Sequence, residues 1–126
     1  MVQQLTWAFG AIFVAVGVLG FVPGATSGGY LLGIFEVDSL HNMVHLLSGV
    51  VALLVAGMAP TYARMYFQVF GVVYLLVTIS GFVMGSAAGL FVVNMADNIL
   101  HVAISAVALW AGFLSKGDGV APMPLS

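Results

Sequence analysis

Four transmembrane helices in an all-α integral membrane fold are the expectation from this chain's composition and from the spacing of its apolar runs. Of 126 residues, 63% are apolar and only 5% charged, with a mean hydropathy of +1.21. A soluble domain carries about 25% charged residues, so this chain cannot cover a water-facing surface. Roughly 20 apolar residues cross the hydrocarbon, which limits the chain to four spans and short loops. The runs do not alternate in polarity as barrel strands do.

The first run extends from about Leu5 to Val22 and stops at Pro23-Gly24, with Thr26-Ser27-Gly28-Gly29 reading as loop. No basic residue precedes this run and no small-residue cleavage site follows it, so it reads as an uncleaved first helix. The second begins near Ser39, behind the candidate cap Asp38, and reaches Met58 before Pro60. The third covers about Tyr66 to Met84 and ends in Gly85-Ser86; the fourth starts after Asn94 and lasts to about Leu114. The whole chain, 1–126, forms one membrane domain with a short Pro/Gly-rich tail at 115–126. Thr78 and Ser80, inside the third run, are expected to bond to their own helix backbone.

Even span number puts both termini and the 58–66 loop on one side. That side holds Arg64 and Lys116, the only basic side chains, while Glu36, Asp38 and Asp97 lie on the other. The positive-inside rule makes the first side cytoplasmic, in a bacterial inner membrane or a thylakoid-type one. Trp7, Tyr62, Tyr66 and Trp110 fall near the same side, as an aromatic belt would. Two cations build neither a nucleic-acid footprint nor a polybasic lipid patch. The absence of cysteine excludes disulfides, thiolate metal sites and cysteine nucleophiles.

The chain matches itself. At an offset of 61 residues, Phe9, Gly10, Val16, Gly20 and Gly24 meet Phe70, Gly71, Val77, Gly81 and Gly85. At an offset of 56, Gly33, Phe35, Asn42 and His45 meet Gly89, Phe91, Asn98 and His101. Val and Leu identities come cheaply between apolar helices, whereas matched Gly, Asn and His do not. A tandem duplication of a two-helix hairpin follows, about 5–58 and 66–114, with a pseudo-two-fold axis along the membrane normal. The expected packing is a left-handed-type four-helix bundle whose in-span glycines let helices approach closely.

The chemistry-bearing residues repeat with the hairpins: His41-Asn42-Met43-Val44-His45 and Asp97-Asn98-Ile99-Leu100-His101. His41 and His45, like Asp97 and His101, are four apart and share a helix face. Each second histidine lies roughly 9 Å below its helix start, where an ionisable group is costly and turns to the bundle interior. Symmetry gathers His41, His45, Asp97 and His101 about one axis. Three imidazoles and a carboxylate suit zinc or another divalent transition metal. As an alternative, His45 and His101 are axial ligands for haem, or each holds a chlorophyll magnesium. Asn42 and Asn98 would then hydrogen-bond to the ligating side chains. The structural alternative is that Asp97, three residues after Asn94, is a helix cap, and that the imidazoles and amides make interhelical hydrogen bonds worth roughly 1 kcal/mol each.

Two stretches carry a family resemblance. Leu32-Gly33-Ile34-Phe35-Glu36-Val37 leading to His41-Asn42-Met43-Val44-His45, and Gly89-Leu90-Phe91-Val92-Val93-Asn94-Met95-Ala96-Asp97-Asn98-Ile99-Leu100-His101, resemble the marks of a bacterial domain-of-unknown-function family of small four-helix membrane proteins. Met95 stands where that family commonly has glycine. The resemblance implies the fold and the location, and no activity.

The leading functional expectation is a non-catalytic accessory or assembly subunit of a larger membrane complex, since no nucleophile–base constellation is present. Its partners would be the lipid bilayer and a membrane protein or further copies of itself. A metal- or tetrapyrrole-binding protein is the second reading, and a small transporter or proton conductor the third.

Overall fold

Buried positions recur every three or four residues along each helix, and apart from a cluster of aromatic rings most of them are small or polar. The structure, a computed structural model, describes residues 1–115. Lys116 and the remaining tail expected at 116–126 lie outside the described residues. Helix α1 (Val2–Leu19) buries Val2, Thr6, Gly10, Phe13 and Gly17. Helix α2 (Ser39–Met58) buries His41, Asn42, His45, Gly49, Ala52 and Ala56. Helix α3 (Ala63–Met84) follows a 3-10 turn at Pro60–Tyr62. Helix α4 (Met95–Leu109) continues into a π-helical turn, Trp110–Leu114.

The outside is the reverse. Leu76 is 62% exposed, Val83 78% and Met58 80%, while Thr6, His41 and Thr78 are buried. Such an inside-out distribution is stable only where the solvent is hydrocarbon. All four helices are long and apolar enough to cross a membrane. The protein is an integral membrane protein.

Within each helical hairpin the backbones meet at glycine. A Cβ added to Gly10 would lie 3.0 Å from the Leu53 backbone nitrogen, and one on Gly71 would lie 3.0 Å from that of Leu109. One on Gly17 would stand 2.7 Å from the Leu46 nitrogen, and one on Gly49 2.5 Å from the Val14 nitrogen. Contact is therefore extensive between α1 and α2 and between α3 and α4, and sparser between the two hairpins. An aromatic core joins them: the Phe9 ring meets Phe67 edge-on at 5.1 Å, and Phe13 meets Phe70 at 5.4 Å.

The connections at one end are ordered ribbons rather than plain loops. Strands β1 (Thr26–Ser27), β2 (Tyr30–Leu31) and β3 (Phe35–Glu36) form an antiparallel sheet. Strands β4 (Ser86–Ala87) and β5 (Phe91–Val92) form a second one. Gly28-Gly29 joins β1 to β2 with both φ angles positive, the two-residue turn that matches strand twist. The same left-handed pair recurs at Leu32-Gly33 and Ala88-Gly89. Helix α1 spans Val2–Leu19 rather than Leu5–Val22, because Phe21 and Val22 already belong to the turns leading into the ribbon. Ser80 bonds to the Ser86 carbonyl and the Ala88 amide instead of its own helix backbone, whereas Thr78 does bond back to the Tyr74 carbonyl.

At the opposite end Arg64 closes α4. Its Nε donates to the Gly112 carbonyl at 3.1 Å and its guanidinium also reaches the Ser115 carbonyl, while Gln68 shares Gly112 at 3.0 Å. A cation here satisfies carbonyls that the π turn leaves without helical partners and complements the helix dipole. Trp7, Tyr62 and Trp110 are exposed at this end. Tyr66 turns inward and donates to the Ser48 carbonyl at 3.0 Å.

Candidate metal centre

The N-terminal turns of α2 and α4 are set by their caps. Asp38 accepts from the His41 amide at 2.8 Å, and Asn94 accepts from the Asp97 amide at 2.9 Å. Both caps also cross between hairpins: Asp38 accepts from the Val92 amide, and the Asn94 side chain donates to the Ile34 carbonyl. These crossed bonds pin each helix start to the other hairpin's ribbon and so fix the depth and rotation of the histidines.

His41, His45 and His101 converge between the helices. Their ring centroids are 4.5 Å (41–45), 5.7 Å (41–101) and 6.1 Å (45–101) apart. One nitrogen from each ring lies within 4.8 Å of the other two. All three are at most 4% exposed. Four of their ring nitrogens, both of His41 and Nδ1 of His45 and His101, have no hydrogen-bond partner. His41 lies beside the Glu36 and Val92 carbonyls without reaching hydrogen-bond geometry.

Aromatic rings wall the triad. Phe91 of β5 stacks on His41 at 4.7 Å, and Phe13 stands edge-on to His45 at 5.5 Å. Tyr74 stands edge-on to His101 at 5.6 Å. Its hydroxyl lies beside Ser48, outside hydrogen-bond geometry, and has no other partner.

Asp97 does not join the triad. It closes a capping box, its carboxylate accepting from the Asn94 amide at 2.9 Å, with the Glu36 backbone also beside it. Asn42 and Asn98 are buried, but their amides pack against Gly20 and Gly81, each on the other helix of its own hairpin. The structure thus brings together three of the four expected ligands, with the amides facing elsewhere.

A family model for a domain of unknown function, DUF4383, matches residues 3–114. The chain belongs to the DUF4383 family. No curated protein and no solved structure matches it. Family membership accounts for nearly the whole described DUF4383 chain and leaves its chemistry to be argued from the triad.

Chemically, three imidazoles form a nitrogen-only donor set. Tetrahedral zinc, with bonds of about 2.0–2.1 Å, holds its donors roughly 3.4 Å apart, against nitrogens that here lie within 4.8 Å of one another. Imidazole suits zinc, copper, nickel and iron, and three protein ligands leave one position open.

Proposed function

We infer that this protein is a small membrane metalloprotein that holds one first-row transition-metal ion on His41, His45 and His101. The observation that carries the reading is the mutual approach of three buried imidazoles, four of whose ring nitrogens lack partners. A buried polar group without a partner costs about 1–3 kcal/mol, and a shared ion relieves several at once. The spacing favours an ion over a tetrapyrrole: His41 stands 4.5 and 5.7 Å from the other two rings, in the space a macrocycle between them would need.

The two hairpins read as tandem copies of one ancestral hairpin. Support comes from contacts that recur at matched positions: Gly20 on Asn42 and Gly81 on Asn98, Gly10 on Leu53 and Gly71 on Leu109. The centre faces the extracytoplasmic side and both termini the cytoplasm; Arg64 at the end away from the triad supports this orientation.

The apolar exterior gives the accessory-subunit reading its support, yet lipid accounts for that exterior unaided. Conduction has less: Phe13, Phe67, Phe70 and Tyr74 fill the bundle below the triad. The test is titration of chelator-stripped protein with Zn2+ and Co2+, followed by elemental analysis. One ion per chain in the wild type, and loss of at least 100-fold in affinity in His45→Ala and His101→Ala, is the expected result. Binding that is unaltered by both substitutions, or no ion above background, overturns it.

A further inference from the structure

Two grooves separate the hairpins, one between α2 and α3 and one between α1 and α4. The first has a volume of about 620 Å³ and the second about 260 Å³, and both reach His45. The larger falls in the range of about 300–1,000 Å³ common for small-molecule sites. Its mouth is formed by apolar side chains facing the bilayer, among them Val69 at 60% exposure and Leu90 at 70%.

Both grooves are almost wholly apolar on their open surface, and they differ in the side chains set behind it. The α2–α3 cleft carries Ser48, Tyr66 and Tyr74 beside His45 and His101. At the matched offsets of 56 and 61 residues, the positions of Ser48 and Tyr74 are held by Ile104 and Phe13, which line the smaller groove. There, His45 is the only polar side chain among the described residues. Hydroxyl groups have thus been set on one side of an otherwise similar bundle. Of these, the Tyr74 hydroxyl is buried and unpartnered. A buried donor left without an acceptor is destabilising, so its retention beside a lipid-open cleft points to an acceptor supplied from outside the chain.

We propose that the α2–α3 cleft binds one neutral, carbonyl-headed amphiphile drawn from the bilayer, of the isoprenoid-quinone type, its carbonyl oxygen accepting from Tyr74. Three features select this class. The floor offers a hydroxyl and imidazoles, which suit a carbonyl. Among the described residues no cation faces the floor, since Arg64 is engaged at the other end of the helices, so a carboxylate or phosphate head finds no counter-charge there. The apolar mouth lets a long chain continue into lipid. A second copy of this chain would cover the mouth but would bring no acceptor to Tyr74. Binding of this kind does not require an ion at the triad.

The experiment uses full-length, chelator-stripped protein in nanodiscs and tritiated decylubiquinone as the probe, with empty nanodiscs subtracted. Saturable binding of one molecule per chain is expected, with dodecane failing to compete. Tyr74→Phe, which removes only an unpartnered hydroxyl, should weaken binding at least fivefold with the fold intact by circular dichroism. Val69→Trp should close the mouth and abolish binding, while Ile12→Trp, on the rim of the smaller groove, should leave it unchanged. Equal binding by wild type, Tyr74→Phe and Val69→Trp overturns the proposal, as does full competition by dodecane. A wild-type dimer that Val69→Trp converts to monomer without change in decylubiquinone binding assigns the cleft to a second copy and overturns it as well. Because the protein is metal-free throughout, saturation here alongside failed zinc binding would remove the metal reading and leave this one standing.

Discussion

A neutral imidazole inside a bilayer has one donor and one acceptor to satisfy, and neither water nor lipid tails can do it. At His41 both ring nitrogens are unpartnered, although its backbone amide is held by Asp38. His41→Ala should therefore stabilise or barely alter the metal-free protein while weakening zinc binding at least 100-fold, read by thermal unfolding and by titration. Asp97 behaves in the opposite sense. Its carboxylate belongs to the α4 cap, so Asp97→Ala should lower stability by on the order of 1 kcal/mol and leave the metal stoichiometry at one. The His-x-x-x-His spacing and its partner histidine 56 residues on were readable in the sequence, because helical period and duplication together predict a shared face. Asp97 was readable two ways, as ligand or as cap, and only the position of Asn94 decides between them. The approach of the unpartnered Tyr74 hydroxyl to Ser48 was not readable, since it depends on how two different helices rotate against each other.

Between elements, glycine sets the distance. With a Cβ at Gly49 lying 2.5 Å from the Val14 backbone nitrogen, α1 and α2 can only separate to admit one. Gly49→Val should cost about 3 kcal/mol or more in unfolding, whereas Gly57→Ala, which meets only the Trp7 ring, should cost far less. Arg64 anchors the other end of α4, and Arg64→Leu should raise amide hydrogen exchange across 110–115 without affecting metal binding. The helices themselves were legible to within about three residues, because apolar run length is a strong signal in lipid. The ribbons were not. Strands of two residues show no alternation to detect, and Gly28-Gly29 announced a turn without revealing that strands flank it. The π turn was equally silent, since the groups that bond to its Gly112 carbonyl, Arg64 and Gln68, come from another helix.

Across the whole molecule, the two hairpins are tightly packed within themselves and loosely packed against each other, and the triad draws on both: His41 and His45 from α2, His101 from α4. An ion at that seam acts as a clamp between hairpins. At a free concentration 100 times its Kd it should stabilise the fold by about 2.7 kcal/mol, and His101→Ala should lose that increment, measured by thermal unfolding with and without Zn2+. The inside-out distribution of polarity could be foreseen from composition alone. Which polar groups face one another could not, since it depends on the crossed bonds from Asp38 and Asn94 that seat each helix start against the opposite ribbon. X-ray absorption on the zinc-loaded protein tests the metal centre most directly. Three imidazole nitrogens at about 2.0 Å are predicted, falling to two in His101→Ala. A shell made of oxygen alone, or a spectrum that is the same in wild type and His101→Ala, would contradict it.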